Sequence, residues 1–305
     1  MTKKCRSRPF LVLAGLLLLG PMAAGSTPGL WHAPQTLQKD HRFVIDRLVS
    51  GNNPKHEDGS FLDAVGAVWP ADLHAAAAAH SAATGFLIGR CHVLTNMHVL
   101  YTDDLVVDPP VGLPVAFAVG QTEGAANRGA LRGLRYLLHG VVIAHGDAII
   151  LDRRVHSPEG DWALIRLSTN VDDRIAPMAI AAVDGARLPN DAELSIAGFP
   201  SDHRARRADG LNFKDLWEST GRVVRVIPLG AAGALIETTN QVTRGNSGSP
   251  LFGDIDGQRH VVVGMAQSIR GNGIDVSERT PNVQVLFTPE MVATIQTAQA
   301  SAPCP

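Results

Sequence analysis

An all-β fold is what this sequence predicts, and three observations carry that expectation. From Phe61 onward, apolar runs of about four to eight residues alternate with Gly, Pro, Asn and Asp, which is the punctuation of strands and turns. Glycine and proline are abundant, at 30 and 19 of 305 residues. Helix-prone stretches are few, the run Ala75–Ala79 and a segment near the end of the chain. With 45% apolar and 18% charged residues, the chain can bury a core and is not a disordered one. Its length suggests about two domains.

Taken in order, the first feature is a set of basic residues, Lys3, Lys4, Arg6 and Arg8. They precede an apolar run from Phe10 to Leu19 and the small residues Ala23, Ala24 and Gly25. That is the layout of a secretory signal peptide, too short to span a bilayer comfortably. Residues 1–25 are therefore expected to be removed and the rest exported, to the periplasm or beyond the cell. The formal charge of -2 suggests neither a nucleic acid nor an anionic membrane as partner. Residues 26–60 are polar and read as an extension on the surface or a pro-segment. Strands are expected at Ala64–Val68, Thr84–Ile88, Val93–Leu94 and Val141–Ala144. A second series follows at Leu194–Ala197, Arg222–Ile227, Ala234–Thr238, His260–Gly264 and Asn282–Leu286. Many short strands imply sandwiches or barrels. Ser168–Ile175, with Asp172 and Asp173, reads as the crossing between two halves. Thr288-Pro289-Glu290 starts a helix, with a capping hydroxyl and Pro in the first turn, and Met291, Val292, Ile295 and Ala298 follow at helical spacing. Ala75–Ala79 reads as a surface insertion and His203–Arg207 as a solvated basic turn.

Cys5 leaves with the leader, which leaves Cys91 and Cys304 in an oxidising compartment. They are either one tethering disulfide or two separate thiols. Neither Cys-x-x-Cys nor His-Glu-x-x-His occurs, so no metal site is expected and no cofactor is required.

The strongest chemical signal is Gly245-Asn246-Ser247-Gly248-Ser249-Pro250. Glycines on both sides of Ser247 permit a sharp turn that exposes its hydroxyl and points backbone N–H groups inward. The same pattern also suits an ordinary tight turn. A serine needs a base, and Thr95-Asn96-Met97-His98-Val99 places His98 where a strand stops. A base needs a buried carboxylate, and Asp161 stands at the lip of the apolar strand Ala163–Leu167. Taken alone, His98 could be a hydrogen-bonded core residue and Asp161 a turn cap. Asp147, Asp152 and Asp172 compete for the same role from more polar surroundings.

The order His98, Asp161, Ser247, each in its strand context, resembles the chymotrypsin-like (trypsin-like) serine proteases. The likeness runs from about Ala64 to Leu286, and the wording Asn-Ser-Gly-Ser-Pro is similar to bacterial glutamyl-endopeptidase-type members. It implies two packed six-stranded antiparallel β-barrels, the first within 61–172 and the second within 173–287, with helix and tail at 288–305. It also implies a catalytic triad of His98, Asp161 and Ser247, and an oxyanion hole at Gly245 and Ser247. Gln241, Val242 and Thr243 would lie at the primary specificity pocket, six to four residues before the serine. Two departures matter. Asn246 replaces the Asp with which digestive members pair a new N-terminus. Met265, Ala266 and Gln267 stand where glutamyl endopeptidases carry a histidine. The resulting expectation is an exported serine endopeptidase acting on peptides or proteins through an acyl-enzyme. Two alternatives are a catalytically silent binding protein on the same scaffold and a serine esterase.

Overall fold

The computed structural model describes residues 43–44, 59–71, 83–100, 111–119, 136–148, 150–151, 154–155, 157–173, 175–183, 188–200, 216–229, 233–268 and 276–305. The leader, most of the polar extension, Ala75–Ala79 and the basic turn at His203–Arg207 lie outside them. Among the described residues there are fifteen strands, beginning with the short β1 (Phe43–Val44), and one α-helix, α1 (Pro289–Ser301), which follows the last strand.

Six strands close the first barrel: β2 (Val65–Pro70), β3 (Ala83–Leu87), β4 (His92–Thr95), β5 (Pro114–Val119), β6 (Tyr136–His145) and β9 (Ala163–Leu167), hydrogen-bonded in the order β2-β3-β4-β9-β6-β5. β7 (Ile150–Leu151) and β8 (Arg154–Val155) form a separate small hairpin. β3 and β4 pair with Phe86 opposite Leu94 and Leu87 opposite Val93, and the Ile88 N–H closes the turn on the His92 carbonyl at 2.9 Å.

The second barrel contains β10 (Glu193–Gly198), β11 (Trp217–Pro228), β12 (Ala234–Thr238), β13 (Pro250–Ile255), β14 (Gln258–Ser268) and β15 (Asn282–Leu286). They run β11-β10-β13-β14-β15-β12, and a β11–β12 pairing closes the ring, with β1 added on the outside of β11. Closure of both rings uses irregular register. β6 slips between Val142 and Ala144, β11 between Val223 and Arg225, and β14 between Ala266 and Ser268. Such bulges bend a long strand so that it can pair with two neighbours around a curve.

Alternation along the strands sorts side chains into two cores. On β14, Val261 and Val263 enter the interior of the second barrel with Leu194, Ile196 and Ile236, whereas Val262 and Met265 face the first barrel. There they join Phe199, Phe252, Val285 and Phe287 in one apolar cluster with the interior of the first barrel. The architecture is thus the chymotrypsin-like double barrel.

α1 starts where the sequence marks it. Thr288 caps it by accepting a hydrogen bond from the Met291 N–H at 3.3 Å, with Pro289 in the first turn. Met291, Val292 and Ile295 bury themselves in the cluster of the first barrel. A disulfide joins Cys304, just beyond the helix, to Cys91, the residue before β4, with Cα atoms 5.6 Å apart. Ile295 is fully buried, so Ile295→Ala should lower the free energy of unfolding by about 2–5 kcal/mol, measured by urea denaturation.

Candidate functional site

Site geometry begins with Asp161. A short 3₁₀ turn, Pro158–Gly160, delivers it to the start of β9, where it is completely shielded from solvent. Both of its oxygens are used by one residue. Oδ1 accepts the His98 backbone N–H at 2.9 Å, and Oδ2 lies 2.6 Å from His98 Nδ1. Asn96 fixes the same segment by donating to the Asp161 carbonyl at 2.7 Å. His98 sits in a 3₁₀ turn, Met97–Leu100, directly after β4, and β4 pairs with β9 so that Thr95 lies opposite Ala163. Of the competing acids, Asp147 is exposed and takes no part.

The short contact to a carboxylate assigns the His98 proton to Nδ1 and leaves Nε2 as an acceptor. His98 retains 25% side-chain exposure while Asp161 has none. Burial is the largest single influence on the His98 ring and disfavours its charged form. The coulombic field of Asp161 and the hydrogen bond to it together outweigh that effect, so the His98 pKa is raised above 6.5.

Ser247 lies in a loop that is locked to the first barrel by Thr84 on β3. The Thr84 N–H donates to the Ser247 carbonyl at 2.9 Å, and its hydroxyl donates to the Gly245 carbonyl at 2.7 Å. The same hydroxyl accepts the Phe199 N–H at 3.1 Å, and the Thr84 carbonyl accepts from the Thr95 hydroxyl at 2.7 Å. Gly245 and Gly248 adopt φ of 93° and 80°, a region that favours glycine. A Cβ on Gly248 would also collide with the Thr84 carbonyl and the Thr95 hydroxyl, so glycine is required there twice over. Asn246 serves the loop. Its side-chain carbonyl accepts the Thr243 N–H, and its own N–H donates to the Thr243 carbonyl, both at 3.1 Å. That reciprocal clasp fixes the Asn246 side chain within the loop.

Gln241, Val242 and Thr243 are all buried, and Val242 packs among the core residues of the second barrel. The Gln241 N–H donates to the Ser219 hydroxyl at 2.7 Å. Asn240 pins the start of this segment by donating to the carbonyls of Leu194 and Ser219, at 2.9 and 2.7 Å. Thr84, Asn96 and Asn240 are the residues that sequence reasoning passed over. Their signal was a polar side chain inside or beside an apolar strand, which has to find a partner when buried.

The expected serine triad is not assembled. A serine hydrolase needs the hydroxyl of its nucleophile coupled to its base. Among the described residues the Ser247 hydroxyl makes no hydrogen bond, to His98 or to any other group. The His98–Asp161 half of the constellation is formed, but its link to Ser247 is not, so the assignments of serine endopeptidase, protease and hydrolase are withdrawn. The physical reason lies in the loop. Its backbone is held by Thr84, by Ala266, whose carbonyl takes the Gly248 N–H at 3.0 Å, and by Asn246, whose carbonyl takes the Ser249 N–H at 2.8 Å. None of these bonds requires the Ser247 side chain to turn toward His98.

Double barrel, buried His-Asp pair and glycine-bounded serine loop together define the trypsin-like class of scaffold. The family model for the trypsin-like peptidase domain matches residues 83–265, more than half of the chain, and the protein belongs to that family. Among solved structures, a Glu endopeptidase in complex with MPD is 20% identical, covers 86% of this chain and 97% of its own, and superposes with a TM-score of 0.53. An inactive form of the Rv3671c protease is 18% identical, with coverage of 83% and 95% and a TM-score of 0.46. A mutant, inactive form of Rv3671c from M. tuberculosis H37Rv is 19% identical, with coverage of 86% and 98% and a TM-score of 0.44. Among curated proteins, none matches the sequence closely enough to count as a relative.

Two measurements check this geometry. Thr84→Val removes one donor and one acceptor between the barrels and should cost about 1–3 kcal/mol for each buried group left unpaired, whereas Thr84→Ser should recover most of the loss. Because the folded pKa of His98 is raised, its pairing with Asp161 stabilises the protein fully below about pH 6.5 and ceases to do so as pH rises through the folded value. Unfolding free energies measured from pH 5 to 9 should therefore fall more steeply above about pH 6.5 in the wild type than in His98→Gln.

Proposed function

We propose that this protein binds extended peptide segments on a trypsin-like peptidase scaffold without cleaving them. The observation that carries the reading is the uncoupled serine: a His98–Asp161 pair at 2.6 Å beside a Ser247 hydroxyl that has no hydrogen bond to His98. Binding does not need that coupling. It needs donors and acceptors in a fixed frame, and the loop supplies them. No acceptor for the N–H of Gly245 or of Ser247 is found among the described residues, so both are suited to holding a peptide carbonyl or carboxylate. When the ring is neutral, His98 Nε2 is an acceptor on the same side chain that Asp161 holds in place.

The trypsin-like peptidase scaffold supports a peptide ligand over a small molecule. β14 is paired on both sides at Met265, with Pro250 of β13 and Val285 of β15, so binding falls to the serine loop and not to a strand edge there. The cavity of about 490 Å³ on the second barrel, lined by Glu193, Ser195, Thr220, Asp254 and His260, contains none of residues 98, 161 and 241–247. Export after loss of residues 1–25 is part of the proposal and is supported by the leader pattern and by the Cys91–Cys304 disulfide, a cross-link of oxidising compartments.

Fluorophosphonate labelling of the purified protein, run beside a fluorescent peptide-library binding screen, tests the reading. The expected result is saturable peptide binding with labelling no greater than in Ser247→Ala. Stoichiometric labelling that Ser247→Ala abolishes would show an activated serine and overturn the proposal.

A further inference from the structure

Away from the serine loop, at the other end of β4, three ligating side chains come together. The Sγ atoms of Cys91 and Cys304 and a ring nitrogen of His92 lie within 4.8 Å of one another. Cys91 and His92 are buried, and Cys304 is half-buried and opens the group toward solvent. The imidazole is already oriented. His92 Nε2 lies 2.9 Å from the Ala302 carbonyl, which can only accept, so the proton sits on Nε2 and the lone pair on Nδ1. That lone pair faces the sulfurs, with Nδ1 at 3.5 Å from Cys91 Sγ and 3.8 Å from Cys304 Sγ.

We propose that, once its disulfide is reduced, the protein binds one thiophilic d¹⁰ cation of the zinc type through Cys91, His92 and Cys304, with water as the fourth ligand. The distances suit such an ion. Zinc–sulfur bonds of about 2.3 Å and zinc–nitrogen bonds of about 2.0–2.1 Å at tetrahedral angles place sulfur and nitrogen about 3.5 Å apart and the two sulfurs about 3.8 Å apart. Both sulfur–nitrogen edges are near that length already. Only the sulfurs must separate, which cleavage of their bond permits. The carbonyl partner on Nε2 is the outer-shell hydrogen bond that metal-bound histidines ordinarily possess.

The site does not depend on the disulfide to keep its parts together. Met291, Val292 and Ile295 bury one face of α1, the Gln299 side chain donates to the Ile88 carbonyl at 3.4 Å, and the Asn170 side chain donates to the Pro305 carbonyl at 3.1 Å. The chemistry balances in two steps. A trialkylphosphine takes oxygen from water and becomes the phosphine oxide, while the two hydrogens of that water go to the sulfurs of Cys91 and Cys304. Binding of M²⁺ then releases two protons and forms two metal–thiolate bonds, and the neutral imidazole donates its Nδ1 lone pair.

The experiment uses the full chain carrying Cys5→Ser, so that Cys91 and Cys304 are the only cysteines. Zinc is titrated against a chromophoric chelator, before and after phosphine reduction, and Co²⁺ serves as the spectroscopic probe. We expect one additional zinc per chain after reduction, and with Co²⁺ a thiolate charge-transfer band with the d–d absorption of a tetrahedral site. His92→Ala should weaken binding by about tenfold or more, and Cys304→Ser should remove half of the charge-transfer intensity or all binding. Near-UV circular dichroism reports whether the reduced chain keeps its fold. A folded reduced protein that takes up no more zinc than the oxidised one overturns the proposal. So does loss of the near-UV signal on reduction, because the site would then not be preformed, or a Co²⁺ spectrum without thiolate bands.

Discussion

Thr84 is the constraint on which the rest of this molecule turns. Its backbone N–H, backbone carbonyl and hydroxyl are all hydrogen-bonded, and three of the bonds cross from the first barrel to Ser247, Gly245 and Phe199 of the second. Apolar packing across the seam is non-directional and fixes how much surface is buried, but not the register of one barrel against the other. Directional bonds in a dry environment do fix it, because leaving any one of them unmade strands a buried polar group. Gly198 and Gly248 complete the arrangement by letting the two backbones approach. A Cβ at either would strike Thr84 itself or side chains that touch it.

The His98–Asp161 pair has a different physical character. Its parts come from two adjacent strands of one barrel, so its geometry is independent of the seam. Asp161 is fully buried, and a buried carboxylate is tolerable only when its oxygens are hydrogen-bonded. Here one residue satisfies both oxygens, through its main chain and its ring. The pair thus has sufficient cause in the structure of the first barrel alone. Its presence is no argument for hydrolysis unless the serine from the other barrel is coupled to it, which the Ser247 side chain is not.

Much of this was legible in the chain because it was local. The β3–β4 turn, the capped helix at Thr288, the glycine-bounded serine and the alternation of β14 each follow from residues within about ten positions of one another, where turn chemistry and periodicity act directly. The two-barrel arrangement became visible only through resemblance, since ring closure depends on strands far apart, such as β11 with β12 after a bulge. The coupling of Ser247 to His98 was inferred from residue types, and types do not set a side-chain rotamer. Thr84 and Asn240 were hidden for a related reason: a threonine in a strand and an asparagine in a turn are ordinary residues until a partner from another strand is placed beside them. The choice of Asp161 over Asp147, by contrast, rested on the apolar run that follows it, and burial separates the two in the same direction.

A single short strand links the two sites described here. β4 runs only from His92 to Thr95, about 10 Å at the rise of a β-strand. At its start, Cys91 and His92 hold the end of α1 through the disulfide and the Ala302 carbonyl. Past its end, Asn96 and His98 hold Asp161. Both groups are referenced to the same partner, since β9 pairs with β4 along its whole length, from Arg166 opposite His92 to Ala163 opposite Thr95. β4 is paired with β3 on its other side, and β9 with β6, so neither strand can slide without breaking ladder bonds. The cysteine–histidine group and the histidine–aspartate pair are therefore held at a fixed separation, at opposite ends of β4.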